Sequence, residues 1–224
     1  MKYILLALLF VGLTNCNQND SITDAVKKQP SKTKLVVINK TKKSGPKKFR
    51  PSVVIIQPFS GVSGAQVNYI FKKLKKIIPQ VVLNNPIALP QRAYYKTRNR
   101  YRADTLNLYL KERTKNGYVT IGLTNKDIST DNGNIVDWGV MGLAYMPGKA
   151  CTVSPFRLSK KNINEQFFKI AIHELGHTQG LDHCLNNTCI MTDANGKNNT
   201  DREKGFCARC KSFLEKKGWN LKDL

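Results

Sequence analysis

The sequence has few histidines and no apolar run of transmembrane length. Only three histidines occur in 224 residues, and all of them lie between positions 173 and 183. Any chemistry that needs imidazole is therefore confined to this stretch, and no histidine remains elsewhere to activate a cysteine nucleophile. The apolar run of about ten residues near the N-terminus is too short to span a bilayer comfortably. This run is instead typical of an export signal.

Acidic residues are also scarce, since 15 of them face 37 basic residues and the formal net charge is +22. Such a chain is attracted to polyanions. The basic residues are spread over the whole length, however, and no recognised nucleic-acid-binding motif accompanies them. We therefore favour solvated basic faces near an anionic cell surface over a nucleic-acid partner.

The first residues have the pattern of a bacterial lipoprotein signal. One lysine precedes the apolar run, and residues 13–16 resemble the processing box in which the cysteine after the cleavage site is lipidated. We predict a signal peptide over residues 1–15 and lipidation of Cys16, which makes the protein an exported cell-envelope lipoprotein anchored at a membrane surface. Asn15 stands where a small residue is usual, so an uncleaved anchor and a secreted product are the alternatives.

Residues 16–48 have the composition of a linker. They are polar and rich in lysine, with one short apolar patch, Leu35–Ile38, that can add an edge strand to the folded part. We expect a single folded domain over residues 49–224, beginning near Phe49, and a monomer. A hydrophobic content of 41% is ordinary for a packed core of this size.

The histidine stretch has the spacing of a zinc site. His173 and His177 are four residues apart, so a helix places both imidazoles on one face, with Glu174 beside them. Gly180 can adopt a left-handed conformation that ends the helix and brings His183 back to the same ion. Three imidazoles leave one zinc position open for water. The alternative is a helix whose histidines are satisfied by hydrogen bonds alone.

Apolar periodicity predicts an alternation of strands and helices before the histidines. The predicted elements are a strand over Ser52–Gln57, a helix from a capping box at Ser63 and Gln66 to Pro79, a strand over Val81–Leu83, a helix over Asn99–Lys115 and a strand over Tyr118–Leu123. This order favours an α/β fold with a twisted, mainly parallel sheet.

The next segment predicts an antiparallel edge. Residues 138–145 and 150–154 are short β-like runs on either side of Met146–Lys149, which suggests a hairpin to whose free edge a peptide can add a strand. A capping box at Asn162 and Glu165 then begins the helix that bears the histidines. Its apolar face is predicted to pack on the sheet.

Four of the six cysteines follow the histidines with metal-ligand spacing. Cys207 and Cys210 form a tight pair, and Cys184 and Cys189 can face them, which predicts a closed, structural four-thiolate zinc site. An oxidising compartment can instead convert the four thiols into two disulfides. Cys151 is interpreted as a small buried residue.

The whole pattern resembles the archaemetzincins, whose signature joins a metzincin zinc motif to a four-cysteine zinc site. The resemblance rests on residues 173–184, on Cys189-Ile-Met191 and on Cys207-x-x-Cys210, with fifteen residues between Met191 and Cys207. It implies a compact metzincin domain with an active-site cleft between the edge strand and the zinc helix. It also implies two zinc ions, one catalytic and one structural, and a methionine turn at Met191.

Two functions follow as hypotheses. In the first, the protein is a zinc peptidase in which His173, His177 and His183 hold the catalytic ion and Glu174 acts as general base and acid. Whether it is an aminopeptidase or an endopeptidase stays open. In the second, it is a non-catalytic, surface-tethered zinc protein that binds peptides or polyanions. No tyrosine follows Met191, so no residue is assigned to the oxyanion.

Overall fold

The computed structural model describes residues 53–222. The predicted signal peptide, the linker with its patch Leu35–Ile38, the predicted domain start at Phe49 and the lipidation site at Cys16 lie outside the described residues. Within residues 53–222, no helix combines the length and apolar character needed to cross a membrane.

Nine strands and four helices make up the described chain. In chain order they are β1 (Val53–Pro58), α1 (Gly64–Ile77), β2 (Val81–Leu83), β3 (Tyr94–Tyr95), β4 (Arg100–Arg102), α2 (Ala103–Arg113), β5 (Tyr118–Leu123), β6 (Ile128–Asn132), β7 (Ile135–Val140), β8 (Gly142–Ala144), β9 (Ala150–Val153), α3 (Ile163–Thr178) and α4 (Ala208–Lys216).

The main sheet has five strands in the order β2-β1-β5-β9-β8. The first four are mutually parallel, and β8 runs antiparallel to β9 at the edge, with Gly142 opposite Val153 and Ala144 opposite Cys151. This confirms the predicted mixed α/β fold with a mainly parallel sheet and an antiparallel edge strand. The edge strand therefore borders the helix that bears the histidines.

Helices cover both faces of the main sheet. Apolar residues of α1 and α3 share one core cluster with β1, β5 and β9, whereas Leu106 and Leu110 of α2 belong to a second cluster with Phe59. Gly122 of β5 faces this second cluster, where a Cβ atom would lie 2.8 Å from Leu110 Cδ1 and 2.9 Å from Phe59 Cε2. The sheet accepts α2 at this close distance because β5 has no side chain there.

A second sheet of four strands, in the order β3-β4-β6-β7, was not predicted. Residues 138–140 belong to its strand β7 and not to the edge hairpin, so that hairpin is shorter than predicted and begins at Gly142. The predicted helix over Asn99–Lys115 was also too long. Long-range ion pairs hold its first residues in β4: Arg100 Nε lies 2.7 Å from Asp127 Oδ2, and Arg102 Nη1 lies 2.9 Å from Asp131 Oδ1.

Both predicted capping boxes are wrong in detail, although the helices begin where expected. Ser63 and Asn162 occupy the N-cap positions of α1 and α3, but neither side chain bonds to the backbone there. Glu165 is engaged elsewhere, because it accepts a hydrogen bond of 2.6 Å from Tyr69 Oη and lies 3.3 Å from Lys73 Nζ. These contacts attach α3 to α1.

Candidate metal centres

Helix α3 ends in a turn that returns the chain toward its own histidines. Gly180 has φ +88°, as the sequence predicts, and its amide donates to His177 O at 2.8 Å. The Leu181 amide donates to Gly176 O at 3.2 Å, which completes a Schellman motif. This termination places His183 next to the two helical histidines.

The three imidazoles converge on one point. Candidate ligand atoms of His173, His177 and His183 all lie within 4.8 Å of one another. The Nε2 atoms of His173 and His177 are 3.0 Å apart. His183 is exposed, and its Nδ1 lies 3.7 Å from Asp193 Oδ2. Asp193 was not predicted, and no spacing rule in the sequence marks it.

The hydrogen bonds of two histidines prepare them for a cation. His173 Nδ1 lies 2.7 Å from Ile190 O, and His177 Nδ1 lies 2.7 Å from Leu181 O. A carbonyl only accepts, so each Nδ1 carries the proton and each neutral ring directs a lone pair from Nε2. Burial lowers the pKa of both imidazoles, that of His173 to about 3, and so favours these neutral forms. Two facing lone pairs repel each other unless a cation lies between them, and zinc fits this donor set.

Glu174 lies directly beside the histidines, and its side chain is enclosed by the protein. It is buried, and burial raises the pKa of its carboxyl group to about 8. The edge strand β8 covers it, since a Cβ atom at Gly142 would lie 2.5 Å from Glu174 Oε1. The glycine thus leaves the space that the carboxyl group occupies.

This close approach makes Gly142 a sensitive position. We expect Gly142→Ala to displace the Glu174 carboxyl group and, on the zinc-peptidase hypothesis, to lower kcat by about ten- to hundred-fold with the zinc content unchanged. Steady-state kinetics and elemental analysis measure the two quantities. Gly64→Ala is the matched control, because a Cβ atom there has no neighbour within 4 Å. Wild-type kcat in Gly142→Ala would contradict this role of the glycine.

Met191 lies beneath the histidine helix and is fully buried. Its Sδ atom would lie 2.9 Å from a Cβ atom at Gly176, so sulfur and helix backbone are in close contact. The Cys184 amide donates to Met191 O at 2.7 Å. The methionine is therefore a packing residue between the histidine turn and the cysteine cluster.

The four cysteines form a second cluster. Their sulfur atoms all lie within 4.8 Å of one another, and Cys184 Sγ lies 3.6 Å from Cys207 Sγ. A tetrahedral site with a Zn–S distance of about 2.3 Å separates its sulfurs by about 3.8 Å, so the cluster matches such a site. All four thiols are free in this structure.

Local interactions tune these thiols in opposite directions. Burial acts to raise the pKa of Cys207, but hydrogen bonds from the Cys210 backbone and from the neighbouring thiols outweigh it and lower the pKa to about 7. Burial raises the pKa of Cys189 and of Cys210. Cys151 is fully buried away from the cluster, and burial raises its pKa as well, which confirms its interpretation as a small core residue.

A cleft of about 770 Å³ lies in front of the histidines. Its walls are the edge strand β8, parts of β6 and β7, helix α3 and the segment of residues 192–199. Sequence reasoning found the edge strand and the helix. It missed the second sheet, Arg157 and Glu203, because these reach the cleft through tertiary packing and have no motif of their own.

Comparisons with known proteins agree with this geometry. The model of peptidase family M54 matches residues 5–216. Archaemetzincin of Halobacterium salinarum is 33% identical over 144 residues, which cover 58% of this chain and 80% of that protein. Archaemetzincin of Nanoarchaeum equitans is 35% identical over 144 residues, 64% of this chain and 79% of the relative.

Solved structures show the same similarity. The crystal structure of archaemetzincin from Archaeoglobus fulgidus, complexed with malonate, is similar with a TM-score of 0.62 and 32% identity over 71% of this chain and 98% of that one. The archaemetzincin structure from Methanopyrus kandleri gives a TM-score of 0.63 and 27% identity over 78% and 98% of the two chains. The chain therefore belongs to peptidase family M54, the archaemetzincins, and is a zinc metallopeptidase.

Proposed function

We propose that the protein hydrolyses peptide bonds at the three-histidine site, with zinc held by His173, His177 and His183 and with Glu174 as general base and acid. The observation that carries this proposal is the 3.0 Å approach of two lone-pair nitrogens beside a buried carboxyl group. A non-catalytic zinc site also needs the converging nitrogens, but it has no need of a buried carboxyl group beside them.

Zinc and the residues around it have separate roles in the proposed reaction. When bound, zinc supplies Lewis acidity, lowering the pKa of a water molecule and polarising a carbonyl group. Glu174 takes the proton of the attacking water and delivers it to the leaving amine. The Ile190 and Leu181 carbonyls hold the two helical imidazoles in the tautomer that leaves Nε2 free. The residues after Met191 contain no tyrosine, so the proposal assigns no side chain to the oxyanion.

The substrate is proposed to bind as an extended peptide along β8. Within the described residues this strand pairs with β9 on one side and lies at the end of the main sheet. It also lines the cleft that contains the histidines. A peptide that adds a strand here gains backbone hydrogen bonds, and its scissile bond lies close to Glu174.

A second, structural zinc ion is proposed at the four cysteines. The convergent, free thiols support it, as does the helix α4 that bears Cys210 and packs its buried Leu214 into the core. This ion attaches the C-terminal segment to the turn after α3. The proposal thus gives two zinc ions per chain.

Membrane attachment through a lipidated Cys16, after removal of residues 1–15, remains a proposal supported by the sequence alone. We expect the mature protein, expressed in a bacterium that processes lipoproteins, to begin at Cys16 and to carry its lipid. Mass spectrometry of the N-terminal peptide measures this, with Cys16→Ala as the control. A mature N-terminus at any other residue would contradict it. We further propose that the attached protein is a monomer and takes peptides as partners.

The competing function is a surface-tethered zinc protein that binds peptides without cleaving them. Digestion of a mixed peptide library by the zinc-loaded protein, with cleavage sites mapped by mass spectrometry, separates the two. We expect discrete cleavages that a chelator abolishes. Binding of library peptides without any cleavage would favour the competing function instead.

A further inference from the structure

Glu203 is a buried acid that lines the cleft of the histidine site. Its side chain belongs to a residue only 7% exposed, and Oε2 is buried with no hydrogen-bond partner among the described residues. No basic group of residues 53–222 lies within 4.0 Å of its carboxyl oxygens in an ion pair. Lys169 acts on this carboxyl group through its charge and not through a hydrogen bond, so the buried oxygen leaves a position for a cationic group that comes from elsewhere.

The backbone around Glu203 is fixed firmly. Lys169 of α3 donates to Thr200 O and to Glu203 O, both at 2.6 Å. The Lys169 ammonium therefore donates hydrogen bonds to two backbone carbonyls and not to the Glu203 carboxyl group. Thr200 is buried, and its hydroxyl donates to Asn198 Oδ1 at 2.7 Å. The backbone that bears the buried carboxyl group is thus held in place.

The position of Glu203 relies on the same helix that bears the histidines. Lys169, which holds it, lies four residues before His173, and Ile170 between them also lines the cleft. Glu203 and the three histidines line the same cleft, so a peptide whose scissile bond lies at the histidines can bring a side chain or its terminus to Glu203.

The charge of the cleft is opposite to that of the chain. Although the whole sequence has a net charge of +22, the described residues that line the cleft include four acids and two bases. The acids are Asp131, Glu174, Asp193 and Glu203, and the bases are Arg157 and Lys197. Arg157 is already paired with Asp127, whose two oxygens lie 2.7 and 2.9 Å from its guanidinium nitrogens. Asp131 is likewise paired with Arg102, and Asp193 lies 3.7 Å from His183 Nδ1. Among the described lining residues this leaves two acids, Glu174 and Glu203, and one base, Lys197, outside any ion pair.

We infer that Glu203 selects substrates, binding an ammonium or guanidinium group of the peptide near the scissile bond. This inference rests on the proposed peptidase function of the same site. The group can come from a lysine or arginine side chain or from the free α-amino terminus of the peptide. A charge-assisted hydrogen bond in a closed site discriminates about ten-fold or more against an uncharged analogue.

Matched peptides test this selection in the full, zinc-loaded protein. Each pair differs only by lysine or norleucine at one position next to a mapped cleavage, and each peptide is made with a free and an acetylated N-terminus. We expect wild type to prefer one charged form by at least about ten-fold in kcat/KM, and this ratio to fall toward one in Glu203→Gln. If kcat/KM falls when lysine is replaced by norleucine, the lysine side chain is the group that binds Glu203. If it falls when the N-terminus is acetylated, the α-amino group is the one that binds. The exposed Glu215→Gln is the matched control and keeps the wild-type ratio.

Two other outcomes distinguish a failure of substrate selection by Glu203 from a failure of the proposed peptidase function. Ratios that are equal in wild type and in Glu203→Gln overturn the selection while leaving the peptidase intact. If wild type cleaves no peptide, the proposed function fails. In that case, lysine and norleucine versions of a library peptide that binds without cleavage are compared by calorimetry with both proteins, and equal affinities overturn the selection.

The stability of Glu203→Gln provides an independent check on the unpartnered carboxyl group. Burial raises the pKa of Glu203 to about 7, although Lys169 opposes the shift, so the folded protein favours the protonated acid. Wild type therefore loses stability as the pH rises from about 4.5 through 7, whereas glutamine does not titrate. We expect the melting temperature of Glu203→Gln, relative to wild type, to increase between pH 5 and pH 8. A difference that does not change with pH would mean that the carboxylate is paired, and would overturn the inference.

Discussion

Glu174→Gln is expected to lower kcat for peptide hydrolysis by at least about 10²-fold while leaving the zinc content unchanged. The amide has nearly the same volume as the carboxyl group, so the space beneath Gly142 stays filled and the three histidines keep their positions. The loss therefore reports the missing proton acceptor. Single-turnover kinetics on a peptide found in the library digest, together with elemental analysis of the same sample, measures both quantities.

The interpretation of this variant depends on the zinc content. Loss of zinc together with activity would mean that Glu174 holds the site together instead of transferring protons. Activity within a few-fold of wild type would remove Glu174 from the mechanism. His177→Ala offers the opposite pattern, since removing a ligand is expected to lower zinc content and activity together.

Cys210→Ser is expected to have the second largest effect, and it acts on both metal sites. Cys210 is fully buried in α4, and loss of its sulfur would remove a ligand from the proposed structural ion, whose binding would stabilise the C-terminal segment. The effect extends to the catalytic site because Cys184 follows His183 directly, and because Ile190, whose carbonyl orients His173, follows Cys189. We expect fewer than two zinc ions per chain, a lower melting temperature and reduced peptide turnover.

Cys151→Ala is the matched control for this prediction. Cys151 is as buried as Cys210 but lies in β9, outside the cluster of four sulfurs. Its replacement is expected to cost only the packing of one sulfur atom and to leave the zinc content unchanged. Two zinc ions per chain and an unaltered melting temperature in Cys210→Ser would contradict the structural role of the four-cysteine site.

Local pattern was sufficient to predict the main sheet and the helix that bears the histidines. Runs rich in β-branched residues predicted β1, β2 and β5 to within one residue, because β1 and β5 lie inside the main sheet and are mostly buried. The second sheet was missed because β3 and β4 have only two and three residues, β6 is mainly polar, and the end of β7 had been included in the predicted edge hairpin. Its strand β4 is held by two ion pairs, Arg100 with Asp127 and Arg102 with Asp131, whose partners are far apart in the sequence. Contacts of this range leave no periodic signal in the sequence.

The candidate site, too, was predicted from the sequence only in part. The spacing of the histidines, of Gly180 and of the cysteines predicted both clusters, because helix geometry and ligand geometry fix those intervals. Gly142 and Glu203 were not found as parts of the site. Each matters through what it faces, which is Glu174 for the glycine and an open cleft for the acid.

The most direct test of the account is to return zinc to the chelated protein while following metal content and peptide turnover in one sample. If the three-histidine site hydrolyses peptides, chelation abolishes turnover and added zinc restores it as that site fills. His177→Ala then stays inactive although its four-cysteine site takes up zinc. Turnover that survives removal of all zinc, or that returns equally in His177→Ala, would contradict the account.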